Sequence, residues 1–233
     1  MTEHWIYSML IGGNTYTFNL DTIFTMWFAM VVVLLLAFIS TRKLTIIPSK
    51  CQAIAEAVMQ FIYGTLDTMV DTKNNRVHVP LVASLFLFIL FANLMGQLPL
   101  RLIHLKTGEI ASPTNDINLT AALAIIVLIY YVFMGIKAKG GKFFLEEFSL
   151  SGIIMALVEL LEMFTRPLSL AIRLFANIFA GEILVSIALG AMAYFLPLPI
   201  MLFEILVAFI QATVFMMLTL AYIGSATKTE EGE

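Results

Sequence analysis

ELLEMFTRPLSLAIRLFANIFAGEILV, residues 159–185, is apolar enough to lie in a membrane, yet it carries Arg166, Arg173, Glu159, Glu162, Glu182 and Asn177. At 100° per residue, Glu159, Glu162, Arg166, Ser169, Arg173 and Asn177 fall within about 40° of Arg173, on one helix face. The remaining faces are mostly Leu, Ile, Phe, Ala and Met. A charged group at the bilayer centre costs at least about 2.5 kcal/mol on insertion scales, so such a stripe faces a partner, a bundle interior or a water-filled path. Glu159, Glu162 and Arg166 read equally well as a self-neutralising salt-bridge set holding a bundle together. Arg173 differs. Towards the C-terminus its stripe offers only Asn177 and apolar side chains, so its counter-charge is expected from another element or another chain.

The rest of the composition agrees with a membrane protein. Of 233 residues, 61% are hydrophobic and 12% charged, with a mean hydropathy of +0.96. A soluble domain carries about 25% charged residues. The single cysteine, Cys51, excludes an intrachain disulfide framework and a multi-cysteine metal site. His4, His78 and His104 lack metal-ligand spacing and read as interfacial or loop residues. Residues 1–20 contain no lysine or arginine and show no signal-peptide pattern. Neither Gly-rich phosphate loops nor nucleophile or zinc motifs occur, and no basic run suggests nucleic acid.

In chain order, residues 1–20 form an outer segment and residues 21–40 the first span, about the length that crosses a roughly 30 Å hydrocarbon core. Residues 50–71 place Glu56, Gln60, Asp67 and Asp71 opposite Ile54, Val58, Phe61 and Ile62, which predicts an amphipathic interfacial helix. Residues 80–98 and 119–136 are the second and third spans. Asn93 and Gln97, one turn apart, read as interhelical hydrogen-bonding groups. Asp116 reads chiefly as the N-cap of the third span. Residues 148–190 stay helical and apolar for about 60 Å, twice the bilayer core. Pro167 should kink this stretch, but the polar stripe keeps phase across it, which favours one long tilted helix. The Leu196-Pro-Leu-Pro199 turn follows, then a last helix over residues 200–226, with Glu204, Gln211 and Tyr222 on one face within about 20°. Residues 227–233 are a charged tail. The fold class is thus an all-α polytopic membrane domain. It has five crossing helices and one interfacial helix, the last two spans forming a strongly tilted antiparallel hairpin.

Basic residues set the orientation. With the N-terminus outside and the C-terminus cytoplasmic, the inner segments hold Arg42, Lys43, Lys50, Lys73, Arg76, Lys137, Lys139, Lys142 and Lys228, and the outer ones only Arg101 and Lys106. The lack of a transit-peptide pattern points to a bacterial inner membrane.

RPLSLAIRLFANIFAGEILV (residues 166–185) resembles the signature of subunit a of the rotary F-type ATP synthases. FEILVAFIQATVFMMLTLAYIGSA (203–226), NLMGQLP (93–99) and SPTNDIN (112–118) resemble three further segments of that family, in the same order. The resemblance implies a stator that forms two proton half-channels against the rotor's c-ring. Subunit b of the peripheral stalk, the remaining ATP synthase subunits and the lipid bilayer would be its other partners, with no cofactor, no metal and no catalytic site on this chain. It also implies that Arg173 is the central arginine, with Gln211 its neighbour on the last helix. Asn177, Glu182, Glu204 and Tyr222 would line the half-channels, Glu159 the cytoplasmic route, and Asp116 and Asn118 the outer route. One departure stands out. The family often pairs a histidine with an acid where this chain has Glu182 and Glu204, so two carboxylates would share the relay here. Glu182 also lies about 180° from Arg173 on an ideal helix, in a different pocket unless Gly181 distorts the helix.

The competing class is a secondary transporter with Arg173 as a midplane anion site, which would normally show internal repeats and more spans than this sequence has. A purely structural scaffold has no need of an arginine and a glutamine at matching depths.

Overall fold

The computed structural model describes residues 6–11, 14–42, 44–70, 75–97, 112–140, 150–191 and 197–227. Along residues 6–11, 14–18 and 150–157, and at Gln97, Glu159, Leu160, Met163, Glu182, Leu189, Ala191 and Pro197, the description covers backbone only. The expected outer loop through residues 98–111, the basic positions Lys43, Lys73 and Lys142, the tail from residue 228, His4 and His104 lie outside it.

The chain opens on an antiparallel hairpin, β1 (Ile6–Ile11) with β2 (Asn14–Asn19), paired from Ile6↔Asn19 to Ile11↔Asn14. This hairpin precedes the helical body and adds to the architecture read from the sequence. Helix α1 (Leu20–Thr41) follows directly, then α2 (Lys50–Met69), α3 (Val79–Gln97), α4 (Ile117–Lys139), α5 (Leu150–Ala191) and α6 (Pro197–Thr227). Among the described residues, five helices are long and apolar enough to cross a membrane, and α2 is not one of them. Ser49 caps α2 by accepting from the Gln52 N–H at 3.4 Å, and Gly140, at φ 62°, ends α4 in a conformation that favours glycine.

Helix α5 runs unbroken through Pro167 for 42 residues. At 1.5 Å per residue it is about 63 Å long, so in a hydrocarbon core of about 30 Å it must incline steeply or project beyond it.

Packing is most extensive between α3 and α6 and between α4 and α5. The core gathers where these four helices meet the C-terminal half of α2, around Ile62, Leu66, Phe86, Ile89, Leu170, Leu174, Phe215 and Leu220. Gly224 permits one close approach, because a Cβ there would stand 2.5 Å from the Met69 carbonyl oxygen that ends α2. Helix α1 is peripheral, with only Thr25 and Ala29 buried. His78 is not a surface residue. It is buried beside α4, its Nδ1 3.0 Å from the Tyr130 hydroxyl.

Candidate functional site

The polar stripe of α5 lies along a rim. Pro167, Leu170, Ala171, Leu174 and Ile178 are buried against the bundle, while Glu162, Ser169 and Arg173 are exposed and Arg166 and Asn177 half-buried. Those buried positions centre about 110° from Arg173 on a helical wheel. The stripe therefore borders the packed edge but points away from the chain's own interior. Around a spanning helix, a surface this chain does not cover meets lipid or another protein.

The two arginines have different surroundings. Arg166 forms an ion pair with Glu162 one turn back, donates from Nη1 to Ser225 Oγ at 3.3 Å, and sits 5.2 Å from the centroid of the Tyr222 ring. Tyr222 in turn packs on Tyr131, ring centroids 6.2 Å apart. Arg166 thus pins α5 to α6. Arg173 makes no hydrogen bond or ion pair to another described residue, although its charge reaches Tyr222.

On α6, Glu204 and Gln211 are buried and Tyr222 half-buried, so the shared polar face turns inward. Glu204 reaches α5 at Gly181, where a Cβ would stand 3.0 Å from the carboxyl carbon and closer still to Oε1. With Arg166 on Ser225 at one end and Gly181 on Glu204 at the other, the two helices run antiparallel. Interpolation between these contacts sets Arg173 within about one helical turn of the level of Gln211. The Glu204 carboxyl arrives one residue before Glu182, whose side chain, like that of Glu159, lies outside the described part.

A second polar group lies where α1, α3 and α4 meet the short turn Pro113–Asn115. Asp116 caps α4, accepting from the Asn118 N–H and Nδ2, each at 2.9 Å. Its other oxygen accepts from Asn19 Nδ2 at 2.8 Å and Thr22 Oγ1 at 3.3 Å, tying the start of α1 to the start of α4. None of these bonds reaches α5 or α6. Nearby, Thr114 Oγ1 donates to Asn93 Oδ1 at 2.8 Å, and Ser112 Oγ is 2.8 Å from Thr114 Oγ1 and 3.0 Å from the Ala92 carbonyl it bonds. Asn93 is fully buried, and its Nδ2 has no acceptor among the described residues. The sequence marked Asn93 as an interhelical group but not its partners, which come from a turn about 20 residues later.

The sequence profile of the ATP synthase A chain family matches residues 23–224. The chain belongs to that family. It is 43% identical over 211 residues to ATP synthase subunit a of Gloeobacter violaceus, covering 91% of this chain and 85% of that relative. Membership of the ATP synthase A chain family makes this a multi-pass, proton-translocating stator subunit of the enzyme's membrane sector, which couples proton flow to rotation. It does not make it a free-standing transporter.

Asp116 carries a prediction of its own. Burial pushes its carboxyl up, but the bonds from Asn19, from the Asn118 backbone and side chain and from Thr22 together outweigh this and hold it below its ordinary value. A lowered folded-state value means a contribution that is complete above the ordinary carboxylate value, about pH 4, and is lost as pH falls through the lowered one. Asp116→Ala should lower the thermal stability of the purified complex by about 1–3 kcal/mol, through the lost cap and the two α1 bonds. That deficit should shrink only in acid below about pH 4. An unchanged melting temperature at neutral pH would remove Asp116 from the fold's supports.

Proposed function

We propose that Arg173 is the fixed charge of the stator, presented on the outer rim of α5 to a ring of rotor subunits whose ionised carboxylate it meets. The observation that carries this reading is the contrast between the two arginines. Arg166 is paired three ways within the chain, whereas Arg173 points outward with only the neutral Ser169 and Asn177 one turn away on its stripe. A guanidinium keeps its proton even in a desolvated place, where a lysine can lose it. Arg173 therefore repels a passing proton and separates two half-channels. A rotor carboxylate must be neutral to turn through lipid, because an ionised one meets the cost of charge in hydrocarbon. Rotation is then tied to protonation on one side of Arg173 and deprotonation on the other.

In this reading Gln211 flanks Arg173 from α6, and Asn177 extends the polar rim. Glu204 and Glu182 form a coupled pair in the outer half-channel, supported by the seating of Glu204 against Gly181. Glu159 and Tyr222 line the cytoplasmic route. Asp116 and Asn118, with Asn93 behind them, border the outer entrance, where a buried amide hydrogen calls for an acceptor such as water. The chain carries protons and leaves ATP chemistry to soluble partner subunits. It sits in a bacterial inner membrane with its N-terminus outside, against a c-ring and the subunit b stalk.

A benzophenone amino acid in place of the exposed Ser169, one turn from Arg173, tests the partner. In the assembled complex it should capture the small ring subunit. Capture of lipid alone would overturn the placement of the rotor on this face.

A further inference from the structure

We infer that the elbow between α1 and α2 is a built anchor for anionic phospholipid at the leaflet where α1 ends. Leu44, Ile46 and Ile47 are exposed by 70%, 103% and 86%. In a loop facing water, three such side chains would be an aggregation liability. This loop is not slack. Gln52, itself 5% exposed, donates from Nε2 to the Thr45 carbonyl at 3.0 Å and to Glu56 Oε1 at 2.7 Å, while its Oε1 accepts from the Thr45 N–H at 3.2 Å. Thr45 Oγ1 donates to the Ile47 carbonyl at 2.7 Å. One buried amide therefore satisfies polar atoms of the loop from the protein side and holds the isoleucines outward. Backbone that enters a water-poor layer needs its polar groups satisfied internally in this way.

Depth and charge name the occupant. Helix α1 has 22 residues, about 33 Å, so a loop at its end emerges at the edge of a roughly 30 Å hydrocarbon core. Arg42, next after α1, and Lys50, the first residue of α2, are both exposed and bracket the apolar tip. Ile54, 68% exposed on α2, continues the apolar surface. Apolar side chains between two cations match the boundary where acyl chains meet phosphates, and an anionic surface adds about a fivefold preference for each basic residue held near it.

The test uses the assembled membrane sector in phosphatidylcholine–phosphatidylglycerol vesicles, with a bimane fluorophore on I46C in a C51S background. Brominated phosphatidylglycerol should quench it several-fold more strongly than brominated phosphatidylcholine at equal total bromine, and aqueous iodide should quench it weakly. R42Q with K50Q, which leaves Lys43 in place, should weaken the preference between the two lipids several-fold and leave the quenching by brominated chains. R42K with K50R should keep both. Quenching by iodide alone would put the elbow in water, and protection from both quenchers would mean that another subunit covers it. Either result overturns the inference, and equal quenching by the two brominated lipids overturns its anionic part.

Discussion

Arg173→Ala should yield a subunit that inserts and assembles but supports neither ATP-driven proton pumping nor ATP synthesis. Assembly should survive because Arg173 bonds to no other described residue and the packed edge of α5 is made by Leu170, Ala171, Leu174 and Ile178. Function should fail because a rotor carboxylate would meet only neutral side chains at that level, with its charge uncompensated. Removing one partner of a buried charge pair costs about 3–5 kcal/mol, roughly 10²–10⁴ in rate if it enters the barrier. Passive proton leak through the membrane sector should rise, since the charge that separates the half-channels is gone. Arg173→Lys keeps a charge but loses the planar fork, and a desolvated lysine can release its proton, so it should fail nearly as badly. Arg166→Ala is the control. It loses the Glu162 pair, the Ser225 bond and the Tyr222 contact, which stiffen the helix pair, and coupled pumping should persist in part. Acidification of vesicles from the three variants, with assembly checked by purification, is the measurement. Robust pumping by an assembled Arg173→Ala complex would return Arg173 to the role of a structural cation.

The helices were legible because the bilayer demands about 20 apolar residues per crossing, and the described residues meet the demand five times. The continuity of α5 through Pro167 was legible for a subtler reason. Six polar residues from 159 to 177 keep one phase, which a break at residue 167 would have scrambled. The same phase put Arg173 on one face with the stripe, but it did not say whether that face meets the bundle or a partner, which the burial of Leu170, Ala171, Leu174 and Ile178 decides. The hairpin at the start is less legible: Gly12-Gly13 between two short runs is a turn signal, but Met9, Leu10 and Ile11 in succession break the apolar–polar alternation of a half-buried strand. Contacts between distant positions left no trace in a single sequence. Nothing in the order of residues says that Thr114 bonds Asn93, or that the imidazole of His78 finds Tyr130. Nor does the amphipathic pattern of α2 show that its Gln52 turns inward to hold the preceding loop.

The approach of Glu204 to Gly181 is another such contact, and it supports the second large effect. Glycine in a membrane helix lets another group come close, and here the group is a carboxyl whose carbon would stand 3.0 Å from an added Cβ. Gly181→Ala should therefore displace the Glu204 carboxyl, the movable end of its side chain, from its place against α5. If Glu204 relays protons, the rate of proton entry should fall even where assembly is retained, by roughly tenfold for each 1.4 kcal/mol that the displacement adds to the barrier. Glu204→Gln should slow entry as well, by removing the ionisable group while keeping the shape. The two causes separate in a double variant. Glu204→Asp shortens the side chain by one methylene and withdraws it from the Cβ of Gly181→Ala, so the pair should pump better than Gly181→Ala alone. Glu204→Gln keeps the full length and should give no such relief. Proton uptake by reconstituted vesicles, measured for the two single variants and the two doubles, decides it. If Glu204→Asp brings no recovery, the alanine acts through the helix backbone and not through the carboxyl that Gly181 admits.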